Sequence, residues 1–182
     1  VIIDEANKMN KMVKKLLTLN QIEFGKNQIN FERFDIVQVI RSVIQSASLL
    51  ADQKDAEIYM EETEPVYVWA DEYMVEEIVT NYISNAINHV DGEKRIRVTL
   101  EMREKVVRIR VFNTGKPIPE EDLDKIWIKF YKVDKARTRA YGGSGIGLSI
   151  VKAIVDAMNQ QCGVKNCHDG VEFWFDLDRQ SH

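Results

Sequence analysis

Near its C-terminal end the chain reads Tyr141-Gly142-Gly143-Ser144-Gly145-Ile146-Gly147-Leu148-Ser149-Ile150-Val151-Lys152. Four glycines within six residues lead directly into an apolar segment that is typical of a helix. Glycines let a backbone approach a ligand without Cβ atoms in the way, and the first turn of a helix offers unpaired N–H groups and a partial positive charge. The stretch therefore predicts a cradle for an anion, most often a phosphate. A flexible loop that caps a helix is the plainer alternative.

Two familiar phosphate-binding loops do not fit this stretch. A Walker A loop would end in Gly-Lys-Ser or Gly-Lys-Thr, which this stretch lacks. A Rossmann fingerprint would follow a strand, whereas residues 132–141 are basic and polar. The rest of the chain has to distinguish a phosphate site from a simple loop.

The composition indicates a folded domain. The 182 residues are enough for one domain and a short additional element. An apolar content of 45% supports a full core, and 30% charged residues favour a soluble, ordered protein. The net charge of −4 gives no support to binding of nucleic acids or anionic membranes, and no apolar run is long enough to cross a membrane. Because the chain begins within a helical pattern and without a capping residue, we expect it to be part of a longer protein.

Helical and strand patterns interleave along the chain. A seam with a period of 3.5 residues predicts a bundle-type helix over residues 1–24, with Gly25 as its stop. The seam consists of Ile2, Ala6, Met9, Val13 and Leu16. Asp35 and Asp71 are the expected N-caps of two later helices. The patterns predict helices at 36–51, 72–89 and 147–158, a partly helical segment at 120–130, and strands at 28–33, 57–61, 66–70, 95–102, 105–112 and 171–177. Hairpins among these strands make the sheet mixed, and three helices on one face give an α/β fold, a two-layer α/β sandwich.

The two cysteines do not indicate a metal site. Cys162 and Cys167 offer too few ligands at the wrong spacing for structural zinc. Two cysteines in a chain of this size also fit a reducing compartment better than a disulfide framework. We expect them to lie in a strand and a turn.

A polar stripe interrupts the helix predicted at 72–89. It consists of Asn81, Asn85, Asn88 and His89, at i, i+4, i+7 and i+8, which puts them on one helical face. Asparagine is a mediocre helix former, and a solvated face would normally carry Lys and Glu. A carboxamide oxygen suits Mg²⁺, which takes few protein ligands and keeps phosphate oxygens and water. The stripe and the glycine-rich stretch together point to a Mg²⁺–nucleotide, with a solvent-facing polar stripe as the alternative.

Residues 111–119, Val-Phe-Asn-Thr-Gly-Lys-Pro-Ile-Pro, end a predicted strand in a turn. Asn113 can donate and accept hydrogen bonds at the edge of a base. Ile118 can pack on the flat face of the same base. Taken alone, the segment is more simply an ordinary strand-to-loop turn.

Together these motifs resemble the ATP-binding catalytic domain of sensor histidine kinases, within the Bergerat-fold ATPase superfamily. Residues 77–89 resemble its N box, 113–119 its G1 box, 127–137 its F box and 143–148 its G2 box. Residues 1–25 resemble the second helix of the dimerisation and phosphoacceptor hairpin, and residues 28–179 resemble the catalytic domain.

The resemblance implies a transferase of a two-component phosphorelay. Such a kinase passes the ATP γ-phosphate to a histidine and from there signals to a response regulator. The implied cofactors are ATP and Mg²⁺, and the implied partners are the chain's own phosphoacceptor hairpin, a second copy in the full-length homodimer, and the response regulator. The implied location is cytoplasmic, as the intracellular portion of a membrane-anchored receptor, with no contact of this part to membrane or nucleic acid.

The resemblance also assigns roles to the polar stripe. Asn85 would supply an oxygen to Mg²⁺, and Asn81 would support the metal and phosphate geometry. Asn88 and His89 would line the phosphate side. Asn81 is also counted among the expected catalytic residues, together with Lys132 and Arg137.

The other motifs provide the base side and the cover of the site. Asn113 takes the adenine-recognising position, Gly115 lets the base approach, and Ile118 packs near it. Residues 132–141 would form a mobile lid, with Phe130 anchoring its base. Lys132 and Arg137 would be the cations that reach the phosphates. The G2 residues that would contact the nucleotide are Gly143, Ser144, Gly145, Ile146, Gly147 and Leu148.

Three departures from the family's pattern affect these expectations. Asn113 stands where Asp is usual, and its carbonyl can still accept a hydrogen bond from the adenine amino group. Asn88 stands where Lys is common, which removes one phosphate contact. Gln160 and Gln161 replace the usual Gly-Gly after the last helix, so that Asn159 is the residue expected in a left-handed conformation.

The resemblance implies transfer with little hydrolysis. ATP-hydrolysing relatives hold a water-activating Glu four residues before the Mg²⁺ asparagine, where this chain has Asn81, and an amide cannot act as a base. Phosphoryl transfer depends mainly on alignment and charge neutralisation. None of His89, His168 and His182 is followed by an acidic residue and then proline, as a phosphoacceptor would be. We therefore expect the acceptor to lie outside this chain, and no autophosphorylation by the chain alone.

Two alternatives stay open at this point. One is a serine kinase of the anti-sigma type, whose acceptor lies on a partner protein; the bundle-type helix at 1–24 argues against it. The other is a pseudokinase-like module that holds nucleotide, or a partner, without catalysis. Asn113 and Asn88 keep this second alternative open.

Overall fold

The computed structural model describes residues 1–25, 28–133 and 145–181. In these residues the α-helices are α1 (Ile2–Glu23), α2 (Ile36–Gln53), α3 (Glu72–His89) and α4 (Gly147–Ala157). The strands are β1 (Glu32–Asp35), β2 (Glu57–Met60), β3 (Tyr67–Ala70), β4 (Arg95–Met102), β5 (Val106–Thr114), β6 (Cys162–Asn166) and β7 (Gly170–Asp178). A 3₁₀ turn covers Glu120–Asp122.

The strands form one mixed sheet in the order β1-β3-β7-β5-β4-β2, and β6 also pairs with β7. β2 and β4 run parallel, and the other pairs are antiparallel. Near the end of β5, Asn113 pairs with Ile96 on β4 and with Val171 on β7. The segment predicted to recognise a base therefore leaves the sheet from a central strand.

Alternation along the central strands gives the sheet one apolar and one polar face. Ile109 of β5 and Phe175 of β7 are fully buried, whereas Arg108 donates to Asp176 at 2.8 and 2.9 Å on the opposite face. α2, α3 and α4 pack side by side, and α1 packs against α4. The predicted two-layer α/β sandwich, with a mixed sheet and three helices on one face, is confirmed.

α1 is buried only near its C-terminal end. Leu19 exposes 1% of its surface and Ile22 exposes 8%, and both belong to the core. Ile2, Met9 and Val13 of the predicted seam expose 86%, 67% and 52%. One end of the helix thus packs on the domain, while most of the seam is exposed to solvent.

Aspartate caps fix the starts of two helices as predicted. Asp35 Oδ1 accepts from the Val37 N–H at 3.0 Å, and Asp71 Oδ1 accepts from the Met74 N–H at 3.2 Å. α3 has the predicted bounds. Asn159 has φ +54°, so its predicted left-handed conformation is confirmed.

One of the predicted elements is wrong in its bounds, and another, predicted to be partly helical, is confirmed over a short stretch. The strand predicted at 28–33 forms instead at Glu32–Asp35, because the Asn30 N–H donates to Asp71 Oδ2 at 2.9 Å and not to a neighbouring strand. The segment at 120–130 is helical only in its 3₁₀ turn and continues as turns, with the Ile128 N–H donating to the Lys125 carbonyl at 3.0 Å. The cysteines lie as expected, with Cys162 in β6 and Cys167 directly after it, and both are free thiols.

Candidate functional site

Asn81 is the most deeply buried residue of the asparagine stripe. Its Nδ2 donates to the Glu77 carbonyl one turn earlier at 2.8 Å, and only 8% of its surface is exposed. This bond uses the donor side of the amide and leaves Oδ1 to face the neighbouring helix. Asn85 and Asn88 are half-buried, and His89 is exposed at the end of α3.

The start of α4 lies against Asn81. A Cβ atom at Gly147 would come within 2.8 Å of Asn81 Oδ1, so any larger residue there would displace the Asn81 amide. Ile146 precedes the helix and is fully buried, and no side chain of the described residues caps the first turn. The backbone N–H groups of that turn are thus left for an anion or for solvent. Leu148 is half-buried beside them.

The end of α3 meets the turn after β5. Gly115 has φ +154°, and a Cβ atom there would lie 2.8 Å from the carbonyl oxygen of His89. The Asp91 N–H donates to the Thr114 carbonyl at 2.9 Å, which ties the same two segments together. The backbone of His89 thus meets the predicted base side, while its side chain, predicted to line the phosphate side, is exposed.

Asn113 is buried at the end of β5, with 2% of its surface exposed. Its Nδ2 donates to the Thr114 carbonyl at 3.1 Å. If the Asn113 amide were flipped, Oδ1 would face the Thr114 carbonyl oxygen and the two acceptors would repel each other. The bond therefore fixes Oδ1 as the atom that can accept from another group.

Phe130 and Gly145 join the two ends of the segment predicted as a lid. The Phe130 N–H donates to the Gly145 carbonyl at 2.8 Å. Phe130 has φ +64°, a left-handed conformation that is uncommon for a bulky residue, and Gly145 has φ +71°. A Cβ atom at Gly145 would lie 3.4 Å from Lys132 Cε, which brings this predicted cation to the glycine-rich stretch. Arg137, Gly143 and Ser144, and most of the predicted lid, lie outside the described residues.

Ile118 is held by a residue that the sequence motifs do not include. Asn166 of β6 accepts from the Ile118 N–H at 2.9 Å through Oδ1, and its Nδ2 donates to the Ile118 carbonyl at 2.8 Å. Asn166 lies 48 positions further along the chain. Only the pairing of β6 with β7 brings the two together, so the sequence carries no local signal for this contact.

Among the described residues, neither a cluster of ionisable side chains nor the groove between α2 and α3 includes the asparagine stripe. In the part of the chain that the structure describes, no three His, Cys, Asp or Glu residues form a group that could hold a metal ion. An open groove between α2 and α3 is lined by Ser42, Val43, Ser46, Ala47, Leu50, Glu76, Thr80, Ile83 and Ser84, with none of the asparagines of the stripe. The residues brought together near Asn81 and Gly147 form the better candidate site.

Comparison with protein families gives one match over most of the chain. The family described as "Histidine kinase-, DNA gyrase B-, and HSP90-like ATPase" matches residues 70–181. The match begins just before α3 and ends after β7, so it includes every part of the candidate site.

Known proteins with similar sequences and structures are named as histidine kinases. The signal transduction histidine-protein kinase ArlS of Staphylococcus epidermidis is 32% identical over 153 residues, which are 84% of this chain and 33% of ArlS. The chain thus spans about a third of this relative's length.

Solved structures agree in fold. The catalytic domain of histidine kinase ThkA, in a nucleotide-free form, matches with a TM-score of 0.72 and 30% identity over 82% of this chain and 98% of that one. ThkA in complex with the response regulator protein TrrA matches with a TM-score of 0.78 and 26% identity over 98% of this chain and 49% of that one. Among the described residues, no helix has the length and apolar character needed to traverse a bilayer.

Proposed function

Because this chain belongs to the histidine kinase-, DNA gyrase B- and HSP90-like ATPases, we propose that it is the catalytic part of a sensor histidine kinase. It binds ATP and passes the γ-phosphate to a histidine outside residues 1–182. The relative ArlS is named a signal transduction histidine-protein kinase, which does not favour the serine-kinase or pseudokinase alternatives.

One observation carries the proposal: Asn81 Oδ1 lies against Gly147 at the uncapped first turn of α4. The two motifs that predict metal and phosphate binding are thus adjacent in space, although 66 positions separate them in the sequence. Unpaired N–H groups and the positive end of the helix dipole favour phosphate oxygens at this point. Lys132 is close to Gly145 and adds positive charge near the same phosphates. Arg137, outside the described residues, is proposed as the second cation.

Asn85 is the proposed ligand of Mg²⁺. It is half-buried on the stripe of Asn81, one turn further along α3. A single neutral oxygen suits Mg²⁺, which usually completes its shell with phosphate oxygens and water. The donor set therefore fits this metal, which when bound would neutralise charge on the phosphates.

The base side consists of Asn113, Gly115 and Ile118. Asn113 Oδ1 accepts from the adenine amino group, because Nδ2 is already engaged with Thr114. Gly115 lets the base approach where a side chain would meet His89, and Ile118 packs on the face of the base. Phe130 contributes through its backbone bond to Gly145, at the base of the proposed lid.

The chain's own groups favour transfer to a histidine over hydrolysis. The Asn81 amide cannot act as a base that activates water, and its N–H side donates to the Glu77 carbonyl. What remains is alignment of the phosphates and neutralisation of their charge, which is sufficient when the acceptor is a good nucleophile. The acceptor hairpin, a second copy of the chain and a response regulator are the proposed partners, with α1 as the second helix of the hairpin and residues 28–179 as the catalytic domain. The proposed location is the intracellular portion of a receptor.

Transfer in trans tests this function. The chain is mixed with a phosphoacceptor hairpin and γ-labelled ATP, and acid-labile, base-stable label on the hairpin is measured. We expect label on the hairpin and none on the chain alone. Nucleotide binding without any transfer to a competent hairpin would instead support a pseudokinase.

Replacement of Asn85 tests the metal site. We expect Asn85→Ala to abolish Mg²⁺-dependent ATP binding, a loss of at least about a hundredfold, because the protein oxygen for the metal is removed. Calorimetric titration with ATP, with and without Mg²⁺, measures the effect. Ser84→Ala is the matched control, since Ser84 adjoins Asn85 in sequence but lines the groove toward α2. Unchanged ATP affinity in Asn85→Ala would refute this assignment.

A further inference from the structure

We propose that Asn166 is a positioning residue that holds the base-binding wall of the nucleotide site. The inference rests on the proposed function and extends it to a residue of β6 outside all the nucleotide-binding motifs. It is carried by three contacts between the β6–β7 hairpin and the segment after β5.

The side-chain amide of Asn166 binds both polar backbone groups of one residue. Its Oδ1 accepts from the Ile118 N–H at 2.9 Å, and its Nδ2 donates to the Ile118 carbonyl at 2.8 Å. The amide thereby replaces a neighbouring strand, because each backbone group of Ile118 finds the partner that a sheet would provide. Two bonds to one residue's backbone fix its orientation as well as its distance. The Ile118 side chain, which the proposed function puts against the base, is thus fixed through its own backbone.

The strand register brings Asn166 level with Asn113. Asn166 pairs with Val171 on β7, and Val171 pairs with Asn113 on β5. The two asparagines therefore lie in one row of the sheet, separated by two strand spacings, or about 10 Å. The chain leaves β5 after Asn113, crosses the end of β7 and is bound again by Asn166. One amide faces the edge of the base, and the other holds the segment that covers its face.

The turn between β6 and β7 also contacts the end of β5 and the residues that follow it. The Asp169 carbonyl accepts from the Gly115 N–H at 3.1 Å. A Cβ atom at Gly170 would lie 2.0 Å from the Asn113 carbonyl oxygen, so the two backbones touch. Gly115, Asn113 and Ile118 are thus all set by one hairpin. Loss of the Asn166 contacts leaves Gly115 and Asn113 in position and releases only Ile118.

The consequence is a specific loss of adenine affinity. Without Asn166 the segment at Ile118 is ordered only when the nucleotide binds. The entropy lost in ordering it weakens the binding of the base. Ile118 on the face of the base also keeps the edge of the base in line with Asn113 Oδ1. When Ile118 is released, adenine loses both this packing and the aligned hydrogen bond to Asn113, whereas guanine, which carries a carbonyl in place of the amino group, loses only the packing. Removing two hydrogen bonds of ordinary strength is expected to weaken ATP binding about tenfold and GTP binding less than about threefold.

The experiment measures ATP and GTP dissociation constants, with Mg²⁺, for the chain and its Asn166→Ala variant, together with their melting temperatures. His168→Ala is the matched control, since this exposed residue lies in the turn that directly follows Asn166 and β6. A fall in the preference for ATP over GTP in Asn166→Ala, with His168→Ala unchanged, supports the proposal. Equal weakening of both nucleotides indicates a merely structural role and overturns it, as do unchanged affinities.

A second variant covers the case in which Asn166→Ala does not fold. Asn166→Asp keeps the acceptor for the Ile118 N–H and loses the donor to its carbonyl. Its added charge repels ATP and GTP alike, so the ratio of the two affinities still reports on the base wall. A lowered ratio supports the proposal and an unchanged ratio overturns it. Failure of the unsubstituted chain to bind ATP would overturn the proposed function itself, and is thus distinct from a failure of this inference.

Discussion

Glu77 is a charged residue in a setting that disfavours its charge. It lies one turn before Asn81 on α3, half-buried, and its backbone carbonyl accepts from Asn81. Burial raises the pKa of the Glu77 carboxyl above its ordinary value, against the opposing effect of Lys15 on α1. The direction of the shift indicates that loss of hydration outweighs the attraction to the lysine.

The raised pKa makes Glu77 a source of pH-dependent stability. The folded chain holds this proton more tightly than the unfolded chain, so stability falls as the pH rises from the ordinary pKa through the folded pKa. We expect Glu77→Gln to melt at a higher temperature than the unsubstituted chain at pH 7 and at the same temperature below about pH 4. Thermal unfolding at both pH values measures this, with Glu62→Gln in the exposed turn after β2 as control. A variant that is less stable at pH 7 would contradict it, and would indicate that the attraction of Glu77 to Lys15 outweighs the cost of burial.

Sequence patterns were more informative about which residues share one face of an element than about the contacts between elements. Periodicity on one helix was enough to bring Asn81, Asn85 and Asn88 to a single face. The left-handed conformation of Phe130 and the bond from Asn166 to Ile118 had no local signal, because both depend on segments that meet only after folding. Such positions are fixed by tertiary contacts and not by propensity.

At the level of elements, α3 is the helix on which the site depends, and Asp71 fixes its start. One carboxylate oxygen accepts from the Met74 N–H and the other from the Asn30 N–H, at 3.2 and 2.9 Å. The same side chain therefore caps α3 and holds the segment before β1. It also explains why the first strand begins later than the sequence predicts.

Loss of this double contact should be costly. We expect Asp71→Ala to lower the free energy of unfolding by about 2 kcal/mol, from a lost helix cap and a lost charged hydrogen bond. Asp71→Asn, which keeps an oxygen for one of the two N–H groups, should lose less. Urea denaturation measures both variants. Equal stability of Asp71→Ala and the unsubstituted chain would mean that the carboxylate does not stabilise the start of α3.

Local signals predicted helices more accurately than strands. The caps and the apolar period of α2 and α3 lie within the helices themselves, so their starts could be read from the sequence. The position of β1 depends on pairing with β3, where Phe34 lies opposite Val68. A strand's bounds follow from its partner, which sequence patterns alone do not identify.

At the level of the whole molecule, α1 and the sandwich share one core. Leu19 and Ile22 are buried, Met12 and Leu16 pack on the same core, and Glu23 pairs with Lys129 at 2.7 Å. The ion pair is partly exposed and contributes little. The apolar contacts therefore hold the helix on the domain.

Two substitutions on α1 distinguish the contribution of its buried end from that of its exposed seam. We expect Leu19→Ala to cost about 3 kcal/mol, as for other large-to-small changes in a core. Val13→Ala, on the exposed part of the same helix, should change stability by less than about 0.5 kcal/mol. Chemical unfolding measures both. If both variants matched the unsubstituted chain, α1 would not be part of the folded core in solution.

The general architecture followed from the sequence, but the order of the strands did not. Interleaved helices and hairpins were sufficient to predict a two-layer sandwich with a mixed sheet. The neighbours of β7 could not be predicted, because three strands, β3, β5 and β6, pair along its two edges. That order determines which turns surround the site.

The contact between Asn81 and Gly147 has a consequence for any attempt to vary this protein. A methyl group at position 147 would come within 2.8 Å of Asn81 Oδ1, so any larger residue there forces the Asn81 side chain to move. The donor side of that amide is bonded to Glu77, and the displacement therefore falls on the oxygen that faces the start of α4. Substitutions at position 147 thus act on the orientation of a neighbouring amide as well as on their own helix.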